Sequence, residues 1–460
     1  MEEVKRPAER AAAFGRDWTK GNILGNLLTL SWPMMISGSL YTVGQTVDMI
    51  WVGRLGSASI AGVGVAGIAV LMVLSAMLGL TMGARAVISR FVGAGDIESA
   101  NQAAGQAFVI SLGYGLIVTA IGVLLAEPIL SLFGLQPEVV AEGTTYLRIA
   151  AISWTPLAFT LMAMNIMQAS GDAVTPMKVG LIFRLSQVAL CPFLVFGWWV
   201  FPKLGVMGVA LSQVITETGG MSASLWLLFS GRSRLHPSLR HFRVDWNIIW
   251  RMAKIGLPGL VMGVERNFGS MVLVWLIVPF GTVAVAAHSL IQRVEMAVTM
   301  PGWGLGMGAS VLVGQNLGAR QPERAVRSAW LAAGIVEGFL LVCALIMLVG
   351  AEYIIRIFNS EPALVEMGGT FLRIAAAGYA VMGFSTVLQN CISGAGDTIP
   401  TMTVSIVTMW LVLLPLAWLL SRVTDLSVYG VRWAIVINIA VGAIAYVIYF
   451  RLGRWQRKRV

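Results

Sequence analysis

Tyr41, Gln45 and Asp48 follow one another at i, i+4 and i+7 inside an apolar run, so a helix there carries all three polar groups on one face. A carboxylate in apolar surroundings costs at least about 2.5–3.5 kcal/mol on insertion scales and must face a cavity or a partner. Asp48 is then either a structural acid hydrogen-bonded near a helix end, or a carboxylate that loads and unloads a proton or cation. A second group lies much further along. Glu265 and Arg266 share one apolar run, and His288, Arg293 and Glu295 share the next, with His288 and Glu295 on one face and Gln292 between them. These groups form either a static, self-neutralised ion-pair network or a second coupling site. If they neutralise one another, Glu265→Gln strands a buried charge at roughly 3–5 kcal/mol. Arg184 and Glu217, which can pair, and Glu337 read as structural.

Other chemistries lack their residues. The chain has three histidines, two of them (His236 and His241) in a basic stretch, and no H-E-x-x-H. Cys191, Cys343 and Cys391 stand alone without a C-x-x-C, which argues against a disulfide framework or a zinc site. We expect no enzyme, no metal and no cofactor beyond a transported H+ or Na+.

The elements that position these residues follow from composition. The chain is 57% hydrophobic and 12% charged, against about 45–50% and 25% in soluble domains, so lipid must solvate much of it. Apolar runs long enough to span a bilayer fall near 27–53, 58–83, 103–126, 145–169, 177–200 and 205–229. After the basic break "SGRSRLHPSLRHFRVDW", six more fall near 252–279, 283–309, 327–350, 370–393, 402–421 and 430–450. The first run, Leu27 to about Val52, is too long for a secretory signal and reads as a retained span. The net charge of +10 reads as basic cytoplasmic loops rather than a nucleic-acid surface. With both termini inside, Arg85 and Arg90 join the inner charges, and Arg432 is among the few outer ones. We expect a multi-pass protein of the cell (plasma or inner) membrane, a monomer in contact with lipid.

The chain also states one sentence twice. "GTTYLRIAAISW" begins at Gly143 and "GGTFLRIAAAGY" at Gly368, an offset of 368 − 143 = 225. The same offset matches Pro33 with Pro258, Met82-Gly83-Ala84 with Met307-Gly308-Ala309, Asn165 with Asn390, and Gly171-Asp172 with Gly396-Asp397. A six-span unit has been duplicated. An even number of spans returns the chain to its starting side, so the repeats are parallel. The expected fold is an all-α integral membrane protein of twelve transmembrane helices in two parallel six-helix repeats with a central cleft. The parts are a cytoplasmic N-terminal segment (1–22), an N-terminal lobe (23–229), a basic linker (230–250), a C-terminal lobe (251–450) and a basic tail (451–460). Asn165, Gln168, Asn390 and Met162 are candidate cleft residues, the flexible thioether suiting ligands of varied shape. "SGDAVTP" and "AGDTIPT" read as helix breaks at Gly followed by an Asp that caps the next helix.

From about Asn22 to Arg454 the chain resembles transporters of the multidrug and toxic compound extrusion (MATE) family. The resemblance rests on "WPMMISGSLYTVGQTVDMIWVGRLG", on "VGQNLGARQPERA" and on the paired "GD" turns. It implies export of amphipathic, often cationic small molecules by cation-coupled antiport with alternating access. It also implies a coupling acid in the first helix, here Asp48, and one in the seventh, here Glu265. Tyr41, Gln45, Arg266, His288, Arg293 and Glu295 would be the supporting polar network. Two positions depart from the pattern. Leu190-Cys191-Pro192 with Gln187 replaces a common L-D-P preceded by Asn, and Met382 stands where members with a sodium site carry Asp. H+ is therefore favoured over Na+. The alternative within the superfamily is a lipid or lipid-linked oligosaccharide flippase, which would want a strongly cationic cavity.

Overall fold

The computed structural model describes residues 17–55, 57–132, 134, 136–231 and 233–458. The side chains of 40–46, 49 and 57–60, and with them the expected Tyr41 and Gln45, lie outside the described residues. Among the described residues every long element is a helix. These are α1 (Ile23–Gly53), α2 (Ser57–Gly93), α3 (Ile97–Leu124), α4 (Pro137–Ile152), α5 (Trp154–Ala169), α6 (Val174–Phe196) and α7 (Val206–Phe229). After the basic stretch come α8 (Trp246–Ile277), α9 (Thr282–Gly318), α10 (Pro322–Arg356), α11 (Pro362–Gly394), α12 (Thr398–Arg422) and α13 (Val428–Arg451).

Nine of the described helices are long and apolar enough to cross a membrane, ten if α4 and α5, bent by 45°, form one broken span. The bend falls at Ser153, whose hydroxyl donates back to the Ala150 carbonyl at 2.6 Å. The expected twelve is not reached by this criterion. Gln213, Glu217 and a scatter of Ser and Thr dilute α7, and several side chains of α1 lie outside the described residues. Faces such as Leu341, Leu345, Ile346 and Val349 on α10 are exposed, as lipid contact requires.

Two compact units form. Unit 1 holds Asp17, Trp18 and Ile36–Gly256; unit 2 holds Thr19–Met35 and the chain from Leu257 onward. Hydropathy placed the lobes at 23–229 and 251–450, in chain order. Packing instead assigns the start of α1 to unit 2 and the start of α8 to unit 1. Pro33 inside α1 and Pro258 inside α8 mark the neighbourhood of each crossing. Glycines make this arrangement possible. A Cβ on Gly83 (α2, unit 1) would meet the Gly256 amide nitrogen at 3.0 Å and the Met252 carbonyl carbon at 3.1 Å. A Cβ on Gly308 (α9, unit 2) would meet Ser31 Cβ at 3.0 Å and Cα at 3.1 Å. Gly83 and Gly308 are repeat partners, and so are Ser31 and Gly256, so the same close approach occurs once in each unit.

The turns repeat as well. Gly171 and Gly396 both take positive φ, +99° and +88°. Asp172 caps α6 by accepting the Thr175 amide at 3.0 Å. Asp397 does not cap α12. It accepts the Tyr449 hydroxyl at 2.5 Å and pairs with Lys458 at 3.0 Å, which ties the end of α13 to this turn.

The basic stretch expected as a linker is docked on unit 1. Gln106 of α3 donates to the carbonyls of His241 at 2.7 Å and Arg243 at 2.8 Å and accepts the Asp245 amide at 3.0 Å. Glu98 pairs with Arg240 at 3.0 Å, and Phe242 stacks on Phe108 and Phe229. Burial lowers the Arg234 guanidinium below its ordinary value, opposed by the charge of Asp17.

Candidate functional site

In unit 1, α1 brings Asp48 against α6. The packing of Val52, one turn on, with Cys191 and Val195 in the apolar core of the unit sets that contact. Asp48 is 8% exposed. Its Oδ2 accepts Gln187 Nε2 at 2.9 Å, and Gln187 Oε1 accepts Arg184 Nη1 at 2.5 Å. Arg184, Gln187 and Cys191 share one face of α6 by their spacing. The Arg184 guanidinium lies within electrostatic range of both Asp48 and Glu217 of α7. Asp48 Oδ1 is buried and has no hydrogen-bond partner among the described residues. The site is thus a desolvated carboxylate with one oxygen engaged, one oxygen open, and a guanidinium held one amide away. It can hold a proton or a small cation at Oδ1.

One of the two departures from the family pattern, Gln187 with Cys191, falls at this site. Gln187 is the residue that touches Asp48, and Cys191 lies on the same face.

The candidate cleft residues of unit 1 are deeply placed. Met162 is fully buried and Asn165 is 4% exposed. The Asn165 carbonyl accepts both Nε and Nη2 of Arg85, with Nε at 3.1 Å. Arg85 was expected among the inner loop charges, but α2 continues past it and buries it. Gln168 is buried, with its Oε1 unpartnered among the described residues. In unit 2, Asn390 donates to the Thr386 carbonyl at 2.9 Å and lies against Gly306.

The expected unit 2 network divides into two places. Glu265 is 9% exposed, and its Oε2 accepts the Ser405 hydroxyl at 3.1 Å. Beyond Ser405, Val407–Leu413 of α12 winds as a π-helix, a feature that recurs at functional sites. That stretch lays Met409 over Gly269 and brings the Trp410 indole to the Glu265 carboxylate, outside good hydrogen-bond geometry. Arg266 is in electrostatic range of Glu265 but exposed, and Arg293 is exposed with no partner among the described residues. Neither arginine is therefore buried with Glu265 and Glu295.

Glu295 instead pairs with Arg432 of α13, which is 1% exposed. Arg432 was expected in an outer loop. Its helix begins at Val428, which puts it inside the bundle one turn later. His288 is buried beside it. Glu337, on α10, accepts the Gly383 amide at 2.9 Å, next to Met382. Among the described residues no group of His, Cys, Asp and Glu has the arrangement of a metal site.

Comparison with known proteins follows this geometry. The MatE family model matches residues 33–193 and again 258–419, and the two starts are separated by the repeat offset of 225. A probable multidrug resistance protein, YpnP, of Bacillus subtilis is 26% identical over 445 residues, covering 96% of this chain and 98% of its own. A probable multidrug resistance protein, NorM, of Thermotoga maritima is 23% identical over 442 residues, covering 94% of this chain and 93% of its own. A solved structure of a MOP superfamily transporter from Pyrococcus furiosus superposes with a TM-score of 0.89 at 22% identity, covering 96% of this chain and 98% of that one.

Proposed function

Because the chain belongs to the MatE family of multidrug efflux transporters, we propose that it exports amphipathic, often cationic small molecules by antiport with H+ in preference to Na+. Transport alternates access between the two faces of the plasma or inner membrane, with both termini cytoplasmic. The observation that carries the reading is Asp48, a desolvated carboxylate whose Oδ2 is held by Gln187 and whose Oδ1 has no hydrogen-bond partner among the described residues. A proton satisfies that oxygen with no further ligands, whereas Na+ would need several oxygens. The neighbouring positions offer an amide, a thiol and a guanidinium in place of a second carboxylate. Everted membrane vesicles with pH and Na+ gradients imposed separately test this. Export of a cationic dye such as ethidium is expected with the pH gradient alone. Export driven only by the Na+ gradient would overturn the choice of ion, and absence of dye export under both gradients would overturn the reading.

Glu265 is proposed as a second coupling acid. The self-neutralised network is absent, so Glu265→Gln strands no partner charge. The Ser405 hydrogen bond can persist to the amide oxygen. The expected loss of stability is within about 1 kcal/mol, the worth of one hydrogen bond. Thermal melting of the purified variant checks this. With melting nearly unchanged, a fall in gradient-driven export assigns Glu265 to coupling, whereas a large drop in melting returns it to a structural role.

A further inference from the structure

A second polar cluster in unit 2 takes no part in the coupling described above. His288 and Glu295 of α9, Tyr379 of α11 and Arg432 of α13 converge, with His288 and Arg432 1% exposed and Tyr379 3% exposed. Arg432 Nη2 donates to Glu295 Oε1, and the guanidinium lies 5.6 Å from the Phe371 ring centroid. That distance is within cation–π range of the ring. Arg432 Nε and Nη1, both ring nitrogens of His288, and the Tyr379 hydroxyl have no hydrogen-bond partner among the described residues. Cys343 of α10 is the other titratable group near Tyr379.

The imbalance is one of donors over acceptors. Arg432 keeps Nε–H and the Nη1 hydrogens unspent, Tyr379 one hydroxyl and neutral His288 one N–H, all buried. Glu295 is the only carboxylate paired with the arginine among the described residues and is already engaged. Unmet donors in a desolvated place are costly, and the guest that satisfies them is an oxygen anion, which Arg binds in bidentate fashion. The remaining corner of the cluster has the opposite sign. Glu295 is a quarter exposed, so an anion arriving alone is repelled there, while a molecule with a cationic pole is attracted.

From this geometry we infer that the His288–Tyr379–Arg432 cluster, with Glu295 at its open corner, is a binding site for the carboxylate of zwitterionic amphipathic substrates. On binding, the substrate carboxylate takes Arg432, Tyr379 and His288, and its cationic pole takes Glu295. One ion pair is exchanged for two, and no net charge is buried. The inference rests on the export reading and narrows its substrate class.

The test compares two dyes that differ only at the carboxyl group: rhodamine 110, a free acid, and rhodamine 123, its methyl ester. Equilibrium binding to the purified full-length protein in nanodiscs is read by fluorescence polarisation, and vesicle export is measured in parallel. The wild type is expected to bind the acid at least about tenfold more tightly, the worth of a hydrogen-bonded charge. Arg432→Gln should abolish that preference. It also leaves Glu295 unpaired, so Tyr379→Phe and His288→Phe, which keep the ion pair, carry the test if it does not fold. Each should lower the preference roughly threefold. Equal binding of acid and ester by the wild type would overturn the site, as would a preference that survives all three variants. Chloride, titrated in against osmotically matched sucrose, separates the sources. If chloride alone displaces the acid fully at ordinary salt, the cluster holds an inorganic anion and the substrate assignment is wrong. If neither dye is exported, the export reading fails, but the binding comparison still decides the site.

Discussion

Asp48→Asn should fold and insert normally, and it should lose coupled export. The substitution keeps the shape of the side chain and an oxygen that can accept Gln187 Nε2, now at 2.9 Å. It removes only the ability to ionise. On the proposed mechanism, a cationic substrate binds the wild type better when Asp48 is charged, and protonation weakens that binding. By linkage the substrate weakens proton binding by the same factor. Affinity for a cationic dye should therefore rise with pH in the wild type. For a coupling of about 1–3 kcal/mol the change is roughly 5- to 150-fold. In Asp48→Asn it should be flat. Arg184, held to Gln187 at 2.5 Å, is untouched by the substitution, and melting unchanged from the wild type would exclude general collapse of the site as the cause. Uphill export in vesicles and dye affinity across pH are the measurements. Wild-type pH dependence in the variant would make Asp48 a structural residue.

Gly83→Val and Gly308→Val should each destabilise the protein. The new side chain at 83 collides with the backbone at Met252 and Gly256, and at 308 with the backbone and Cβ of Ser31. Backbone atoms of a packed helix cannot turn aside as a flexible side chain can. Overpacking of this kind costs roughly 1–3 kcal/mol. The control is Gly64→Ala on α2, where an added Cβ meets nothing within 4 Å. There, relief of the glycine penalty in a helix should raise stability by up to about 1 kcal/mol. Melting of the three purified variants should show opposite signs. A fall in all three would mean that α2 responds to any substitution rather than to these contacts.

The helical class, most of the helices, the offset of 225 and the positions of Asp48 and Glu265 were legible in the sequence, because apolar length and repetition are properties of the chain itself. The partners were less so. Gln187 was visible only as a departure from a pattern, since nothing in the sequence says which face of α6 meets α1. Arg85 and Arg432 were counted with loop charges. Both lie near the ends of apolar runs, where composition cannot separate a charge in water from one that a continuing helix carries inside. Asp397 was expected to cap a helix as Asp172 does, but Tyr449 near the end of α13 and Lys458 beyond that helix claim it. Those contacts depend on distant residues meeting, which local propensity does not encode.

The exchange of helix ends has a consequence for how the protein is made. Unit 1 is not complete until the ribosome has delivered residues up to Gly256, and Thr19–Met35 belongs to a unit whose remaining residues come later. Ser31 and Met35 emerge early, yet the glycines that receive them, Gly308 and Gly304, lie on α9. Synthesis order and assembly order therefore differ, and the start of α1 must wait in the membrane while more than half of the chain is still being translated. A gene split in the basic stretch would encode two fragments, each carrying a segment the other needs. The duplication yielded two lobes that are each finished by the other, so the chain assembles as one.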